Sequence, residues 1–378
     1  MLGTRPDAVK MAPVVQEFAR FPHQVRQVVV STGQHREMLD QVLSVFNIAP
    51  DYDLQLMRER QSLSDLTARA LTALMPVLEA EKPDLVIAQG DTSTTFVASL
   101  AAFYAKAKFG HVEAGLRTDN KFDPFPEEMN RRLTTRLADL HFAPTTLAAE
   151  NLLKEGVHEA TVRVTGNTVV DALRSVAAVS DYQFEDPLLA QAVAGYPAGA
   201  ARMVLVTMHR RENWGEPMRA VCDAIVKLVE RFSDVHVVFP MHRNPIVREV
   251  VEPALGGRER ILLTEPPEYF PFVHLMKASH LILTDSGGVQ EEAPGLGKPV
   301  LVLRKTTERP EGVHAGAALL VGTDRNVVLG EASRLLSDHA AYAAMSKNVS
   351  PYGDGDAARR IREWVFETFG LTAPQAGV

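Results

Sequence analysis

Acidic side chains follow two short apolar segments of the sequence and could take part in proton transfer. Asp91 follows Asp84–Gln89 with Gly90 between them, and Glu113 ends the segment Phe109–Glu113. If these segments are neighbouring parallel strands, the two carboxylates converge at the edge of the sheet where α/β proteins bind ligands. Glu127 opens a helical pattern a little further along. A carboxylate cluster of this kind suits general acid and base catalysis.

Each of these acidic residues also has a purely structural interpretation. Asp91 and Thr92 could cap the helix that follows them, and capping is the better interpretation when this motif is taken alone. Glu127 and Glu128 could simply complement the positive end of a helix. Only their occurrence together with Glu113 favours a catalytic role.

A glycine-rich turn follows another apolar segment and could hold a phosphate group. Ser286-Gly287-Gly288 follows Leu281–Thr284 with Asp285 between them, and a helical pattern begins at Val289. Glycines let the backbone approach a phosphate closely, and the positive end of a helix attracts an anion. Glu292, one helical turn further on, could accept hydrogen bonds from ribose hydroxyls. The alternative is a turn without a ligand, which the presence of Arg309 later in the chain makes less favourable.

Basic side chains also occur in turns like those described above and could neutralise a diphosphate. His209-Arg210-Arg211 follows Met203–Met208, and the alternative for this segment is a solvated loop. Arg5 and Lys10 form a similar pair after the turn at the start of the sequence. Because only two residues precede that turn, where a first strand is expected, we expect the natural chain to begin several residues upstream.

The elements that position these side chains are expected to alternate between strand and helix. Short β-branched segments alternate along the chain with longer helical patterns, which predicts an α/β fold with parallel sheets. They include the strand candidates Val25–Ser31 and Leu281–Thr284 and the helical patterns Glu127–Leu137, Glu216–Arg231 and Arg325–Ser337. The stretch 182–201 contains several Pro, Gly and Ala residues and indicates a domain boundary. We therefore predict two doubly wound domains with a central cleft. No P-loop, Gly-x-Ser-x-Gly or Gly-x-Gly-x-x-Gly motif occurs, which argues against kinases, esterases and dehydrogenases.

Composition excludes several classes of protein. The 40 basic and 47 acidic residues leave a net charge of −7, which argues against a nucleic-acid or membrane surface. No apolar segment reaches the ~18 residues of a membrane span. The sequence does not open with a signal peptide either, so we expect a cytoplasmic enzyme. Polar loops at 34–37 and 241–245 lack metal-ligand spacing and Cys222 is the single cysteine, so we predict no metal and no cofactor.

Nine short motifs together resemble the bacterial non-hydrolysing UDP-N-acetylglucosamine 2-epimerases. They occur in the expected order and extend from residue 3 to about residue 365. Each motif alone would be weak evidence. The motifs are Gly3-Thr4-Arg5-Pro6, Gln34-His35-Arg36-Glu37-Met38, Gly90-Asp91-Thr92, His111-Val112-Glu113-Ala114-Gly115-Leu116-Arg117, Thr165-Gly166-Asn167, His209-Arg210-Arg211-Glu212, Thr284-Asp285-Ser286-Gly287-Gly288, Thr307-Glu308-Arg309-Pro310-Glu311 and Asn348-Val349-Ser350-Pro351-Tyr352-Gly353-Asp354-Gly355.

The resemblance implies a GT-B-like fold, with two Rossmann-like domains and the ligand between them. Residues 1–165 and 166–355 would form these domains, and a helix within 356–378 would pack back on the first. It also implies reversible epimerisation at C2 of UDP-GlcNAc to UDP-ManNAc for surface-polysaccharide precursors. Members of the family are usually homodimers, and many are activated by UDP-GlcNAc at a second site.

The resemblance also implies a mechanism and a set of site residues. The family eliminates UDP to give 2-acetamidoglucal, and adds UDP back after protonation on the other face of the sugar. The catalytic residues carried over by motif are Asp91, Glu113, Glu127 and His209. The substrate-binding residues are Arg5, Lys10, Arg131, Phe272, Ser286, Gly287, Gly288, Glu292 and Arg309. The residues of the second, activating site are Gln34, Glu37, Arg60, Arg210 and His242.

Two departures from the family pattern and three rival functions stay open at this point. Pro267 stands where many relatives carry Gln near the uracil, and Arg243 where many carry Leu near the activating site. The rivals are a GT-B glycosyltransferase, a hydrolysing epimerase that releases free ManNAc, and a non-enzymatic UDP-sugar sensor. The paired motifs of Asp91 and Glu113 argue against the glycosyltransferase, and the intact acid/base cluster argues against the sensor. Hydrolysis depends on whether the enzyme retains the glucal.

Overall fold

The computed structural model describes residues 1–33, 36–57, 61–194, 201–347 and 350–372, without the side chains of 36–38, 40 and 41. The chain divides into two compact units. The first unit contains Met1–Ala172 and Tyr352–Val378, and the second contains Leu173–Pro351. Both units are α/β structures with parallel sheets, which confirms the predicted fold class. The sequence-based domain limits at 165/166 and 355/356 stay a prediction.

Short strands and longer helices alternate through both units. The strands are β1 (Val30–Ser31), β2 (Tyr52–Asp53), β3 (Leu85–Gln89), β4 (Lys108–Val112), β5 (Leu140–Ala143), β6 (Val162–Val164), β7 (Arg202–Thr207), β8 (Val235–Pro240), β9 (Ile261–Thr264), β10 (Leu281–Thr284), β11 (Val300–Val302) and β12 (Ala318–Leu320). The helices are α1 (Arg5–Ala19), α2 (Arg36–Val45), α3 (Leu63–Glu81), α4 (Ser93–Tyr104), α5 (Glu127–Leu137), α6 (Thr146–Lys154), α7 (Thr168–Ala177), α8 (Pro187–Ala194), α9 (Glu216–Arg231), α10 (Pro245–Leu255), α11 (Tyr269–Ala278), α12 (Gly287–Glu292), α13 (Pro310–His314), α14 (Arg325–Ser337), α15 (His339–Met345) and α16 (Ala357–Phe369). None of the helices in the described ranges is long and apolar enough to cross a membrane.

The first unit contains a four-stranded parallel sheet in the order β3-β4-β5-β6, and β1 and β2 form a separate parallel pair. The sequence predicted a strand over Val25–Ser31, but only Val30 and Ser31 have ladder partners. The residues before them border a cavity of about 670 Å³ that also extends along β3. They therefore lack a neighbouring strand on that side, which is the physical reason for the shorter strand. Leu2 forms a single parallel bridge to Ser31.

Helix α16 is packed within the first unit, although it is last in sequence. Its first two amides, those of Ala357 and Ala358, donate to the carboxylate of Asp171 at 3.2 and 2.8 Å. This side chain satisfies two of the backbone donors that every helix start leaves unpaired. Further along α16, Arg362 donates to Glu17 of α1 at 3.1 Å, and both side chains are nearly buried.

The second unit contains a six-stranded parallel sheet in the order β12-β11-β10-β7-β8-β9. All of its strand pairs are parallel, and their apolar side chains are buried almost throughout. Continuous apolar strands are required here because helices cover both faces of such a sheet. The order of the strands reverses between β7 and β10. Ligands of open α/β sheets bind at the carboxyl ends of the strands that flank such a reversal.

Candidate active site

The turn after β3 holds Asp91 at the carboxyl end of the first unit's sheet. Gly90 has a φ of +79°, which glycine adopts without strain, and Thr92 caps α4 by accepting from the amide of Thr95 at 3.4 Å. Capping therefore belongs to Thr92. The carboxylate of Asp91 instead accepts from Nε of Arg131 at 2.8 Å.

Glu113 lies at the end of the neighbouring strand β4, in a left-handed conformation with a φ of +62°. Such a backbone is uncommon for a residue with a side chain and is retained where the surroundings hold it. One carboxylate oxygen accepts from Nζ of Lys10 at 2.6 Å and from the side-chain amide of Asn167 at 3.0 Å. The other accepts a hydrogen bond from Gln89. These donors, from separate elements, fix the direction of a nearly buried carboxylate.

Helix α5 brings two further acidic residues and a cation to the first unit. Glu128 is fully buried and accepts from Arg131 and from Arg132, each at 2.9 Å. Arg131 therefore joins Glu128 to Asp91. Glu127 is half-buried and has no hydrogen bond or ion pair with the described residues, so its carboxylate is available to a ligand.

Helix α1 contributes Arg5, Asp7 and Lys10. Arg5 is exposed at the start of the helix. Asp7 is buried, and its carboxylate accepts from the amide of Thr4 at 3.0 Å and from the hydroxyl of Thr92 at 3.3 Å. Burial raises the pKa of Asp7 to about 6, and the nearby charge of Asp91 adds to this effect. Sequence reasoning missed Asp7, although the capping-box spacing from Thr4 to Asp7 was a visible signal.

In the second unit, His209 and Asp285 follow the two strands that flank the reversal of strand order. His209 follows β7 with one residue between them, and Asp285 directly follows β10. Nδ1 of His209 lies 3.2 Å from a carboxylate oxygen of Asp285, which is fully buried. Burial alone would raise the pKa of Asp285, but hydrogen bonds from His209, Arg210 and Asn213 hold it below its ordinary value. Asp285 stood in a quoted motif, but the sequence assigned it no role.

The glycine-rich turn after β10 lies beside two cations. A Cβ atom on Gly287 would stand 3.6 Å from a guanidinium nitrogen of Arg210 and 3.8 Å from the guanidinium carbon of Arg309. Glu308 joins these two side chains, with its Oε1 at 3.4 Å from Arg210 and 3.7 Å from Arg309. Arg309 also donates to Glu291 of α12 at 2.5 Å. The turn can therefore offer backbone amides and positive charge to the same anion.

The other predicted binding residues of the second unit lie on α11 and α12. Glu292 is nearly buried at the end of α12, and Phe272 is half-buried on α11. Burial, followed by the negative charge of Glu292, raises the pKa of Tyr269 well above its ordinary value. Tyr269 is therefore a neutral neighbour of Glu292 that sequence reasoning did not single out.

Two of the five residues predicted for a second site have described side chains. The rings of His242 and His209 stack with centroids 5.7 Å apart, and burial followed by the charge of His209 lowers the pKa of His242. Arg210 is half-exposed and pairs with Glu308. Gln34, Arg60 and the side chain of Glu37 lie outside the described residues.

Known proteins match the chain over almost its whole length. The sequence profile of a family described as UDP-N-acetylglucosamine 2-epimerase matches residues 18–365. The chain belongs to the UDP-N-acetylglucosamine 2-epimerase family. It is 51% identical to the UDP-N-acetylglucosamine 2-epimerase of Bacillus subtilis (strain 168), covering 99% of this chain and 96% of that protein. It is 50% identical to the enzyme of that name from Escherichia coli (strain K12), with 96% of each chain covered.

Solved structures of this epimerase family match the fold as well. The structure of UDP-GlcNAc 2-epimerase from Neisseria meningitidis bound to UDP-GlcNAc matches with a TM-score of 0.87 and 46% identity, covering 97% of this chain and 98% of that one. The Methanocaldococcus jannaschii UDP-GlcNAc 2-epimerase in complex with UDP-GlcNAc and UDP matches with a TM-score of 0.76 and 32% identity, covering 97% and 98%. The GT-B-like class predicted from the motifs of this epimerase is thereby confirmed.

Proposed function

We propose that this protein interconverts UDP-GlcNAc and UDP-ManNAc by inverting C2 of the sugar. The observation that carries the proposal is the position of Asp91 and Glu113 after the adjacent strands β3 and β4, in a chain about 50% identical to enzymes named for this reaction. In this proposal the first unit supplies acid and base groups, and the second supplies the groups that hold UDP. The product would serve surface-polysaccharide synthesis in the cytoplasm.

The chemistry of the sugar favours elimination over direct deprotonation. No carbonyl neighbours C2, so its proton is not acidic and a carbanion there would form very slowly. Anti elimination breaks the bonds from C2 to hydrogen and from C1 to oxygen, and leaves 2-acetamidoglucal and UDP. Protonation of C2 on the opposite face and return of the UDP oxygen to C1 then give the epimer.

The candidates for the proton transfers are Asp91, Glu113 and Glu127. Glu127 is half-buried without a described partner and Asp91 is partly exposed, so both have lone pairs available to the sugar. Glu113 is nearly buried and already accepts from several donors, which suits a fixed carboxylate that orients Lys10. Arg5 and Arg131 would attract the negatively charged substrate to the same unit.

The role of stabilising the departing diphosphate is assigned to residues of the second unit. Negative charge grows on the leaving oxygen, so preorganised donors should stabilise that transition state more than the ground state. His209, Arg309 and the backbone amides of Gly287 and Gly288 are the candidate donors, because the amide of Ser286 already donates to Oγ1 of Thr284 at 2.9 Å. Loss of one such donor typically costs ~3 kcal/mol of barrier. Glu292 would bind the ribose, and Phe272 would contact the uracil.

Incubation with UDP-GlcNAc in deuterated water, followed by NMR, tests the proposed function. Epimerisation predicts UDP-ManNAc with deuterium at C2, because the acid that protonates C2 on the opposite face carries a hydrogen that has exchanged with solvent. If C2 keeps its hydrogen and no manno product forms, the proposal fails. Accumulation of free ManNAc together with UDP would instead identify a hydrolysing enzyme.

The proposal extends to assembly and regulation. A homodimer is expected, with UDP-GlcNAc as substrate and as activator at a second site that contains Gln34, Glu37, Arg60, Arg210 and His242. A relative crystallised with both UDP-GlcNAc and UDP supports the binding of two ligands in this family. The initial rate with UDP-ManNAc as substrate should rise when a trace of UDP-GlcNAc is added. A rate that does not respond would contradict the activator role.

A further inference from the structure

The buried carboxylate of Asp285 is surrounded by donors from a single loop of the second unit. The backbone N–H of His209 donates to its two oxygens at 3.0 and 3.1 Å, and the backbone N–H of Arg210 donates at 3.0 Å. The side-chain amide of Asn213 donates at 2.9 Å and also donates to the carbonyl of Leu303 at 3.0 Å. Asp285 thus holds the loop that follows β7 against the end of β10.

The imidazole of His209 completes this set of donors. Its Nδ1 lies 3.2 Å from Oδ1 of Asp285. An ionised carboxylate only accepts hydrogen bonds, so Nδ1 must carry a hydrogen whether the ring is neutral or charged. Nε2 lies on the other side of the ring, and no hydrogen bond to it is made by the described residues, so it is available to a ligand. The side chain is 35% exposed, so a ligand can reach it.

Two further contacts restrain His209, one to its backbone and one to its ring. Nε1 of Trp214 donates to the carbonyl of His209 at 3.3 Å. The ring of His242 stacks on the imidazole. Both contacts limit how far His209 can turn, but neither selects which ring nitrogen carries the hydrogen. That selection requires an acceptor at Nδ1, and among the described residues Asp285 supplies it.

We propose that Asp285 is a positioning residue for His209, which holds the imidazole with hydrogen on Nδ1 so that Nε2 is presented to the diphosphate of the substrate. The proposal rests on the proposed function, in which His209 acts on the departing UDP. Asp285 itself does not touch the substrate. A carboxylate that fixes the tautomer and direction of a histidine is an established device of enzymes on unrelated folds.

The tautomer of His209 can be measured without any reaction. In protein labelled with ¹⁵N-histidine, long-range ¹H–¹⁵N spectra distinguish a neutral ring with hydrogen on Nδ1 from one with hydrogen on Nε2. The signal is assigned by its loss in His209→Gln. The wild-type protein should show the Nδ1–H form, and Asp285→Asn should shift the signal towards a mixture. A wild-type ring with hydrogen on Nε2 would overturn the proposal, even if Asp285→Asn does not fold.

The kinetic consequence is tested with a double-mutant cycle. Asp285→Asn should lower kcat by about 100-fold, the size expected when a donor to the negative charge of the leaving group is misplaced. Its UDP affinity, measured by calorimetry, should stay within about fivefold. In the His209→Gln background the same substitution should lower kcat by less than about threefold, because residues that act through one another are not additive. Asp234→Asn is the matched control, since Asp234 pairs with Arg202 through its side chain.

The outcomes separate this inference from the proposed function. Asp234→Asn should leave both the tautomer and kcat unchanged. If Asp285→Asn lowers kcat by the same factor in the wild-type and His209→Gln backgrounds, Asp285 has a general structural role and the inference is overturned. If the wild-type protein does not epimerise UDP-GlcNAc, the proposed function fails, while the tautomer spectra still decide whether Asp285 positions His209.

Discussion

At the scale of single residues, the carboxylates of the first unit differ in how many hydrogen bonds they already accept and in how exposed they are. Glu113 accepts hydrogen bonds from Lys10, Asn167 and Gln89, so its position is fixed before any ligand binds. Asp91 has Arg131 as its ion-pair partner and is still partly exposed. A fixed anion next to an accessible one is a useful arrangement for proton transfer, because only the accessible group needs to meet the substrate.

Asp91→Asn should keep UDP binding and lose most of the turnover. The amide has the size of the carboxylate but cannot take up a proton, so kcat should fall by at least about 100-fold. The control is Asp84→Asn, because Asp84 is exposed just before the other end of β3. Steady-state kinetics and UDP calorimetry on both variants provide the measurement. Turnover of Asp91→Asn close to wild type would remove Asp91 from the acid/base cluster.

Asp7 should make the folded protein more stable as the pH falls. Burial raises its pKa to about 6 in the folded state, above the ordinary value of 3.8. The folded protein therefore binds a proton more readily than the unfolded chain between these two values. Its stabilising contribution is complete below about pH 4 and is lost as the pH rises through about 6.

The comparison of Asp7→Asn with the wild-type protein isolates this effect. The difference of about two pKa units corresponds to at most ~3 kcal/mol. Urea unfolding at pH 7 and at pH 4.5 gives the free energy of unfolding of both proteins. The increase from pH 7 to pH 4.5 should be smaller in Asp7→Asn than in the wild type. Identical pH profiles would mean that Asp7 has an ordinary pKa.

At the scale of elements, the loop after β4 is pressed against helix α6. Gly115 has a φ of +96°, and a Cβ atom there would lie 2.1 Å from the carbonyl oxygen of Ala148. No side chain fits without moving the helix. Since the same loop carries Glu113, the position of that carboxylate depends on the close approach of glycine and helix.

Gly115→Ala should therefore destabilise the protein by more than about 3 kcal/mol, from left-handed strain plus overlap with backbone atoms. Gly156→Ala is the matched control, because Gly156 also has a positive φ, +80°, but nothing lies within 4 Å of its added Cβ. That control should cost only about 1 kcal/mol. Thermal unfolding of both variants gives the comparison, and equal losses would show that the contact with Ala148 can relax.

The sequence predicted the elements around the site better than the contacts within it. The predicted limits of α5, α9, α14 and β10 agree with the structure, because each has a clear apolar period or is bounded by turn residues. The strand predicted at Val25–Ser31 was too long, since strand pairing depends on a neighbour that local sequence does not reveal. The role of Asp285 was missed for the same reason, because its partners lie on another loop. Asp7 was missed although its local partner Thr4 gives a capping-box spacing.

At the scale of the whole molecule, a ligand that binds only the folded state should stabilise it. UDP at about 100 times its dissociation constant would add ~2.7 kcal/mol to the free energy of unfolding. Arg309→Gln should reduce this gain, because a lost charged hydrogen bond costs roughly 1.5–3 kcal/mol of binding. Arg334→Gln is the control, since Arg334 pairs with Glu331 on α14. Unfolding temperatures measured over a UDP series test the prediction, and equal shifts in all three proteins would contradict it.

The reversal of strand order between β7 and β10 has a consequence for folding. His209 and Asp285 are 76 residues apart in the chain, yet they meet because β10 pairs directly with β7. Closing so long a loop costs chain entropy before any contact repays it, so such long-range pairing is slow to form. Strand β8 can pair with β7 earlier, as its neighbour in sequence. His209 and Asp285 would then come together late in folding. The formation of their contact would therefore mark the moment at which the centre of this sheet is complete.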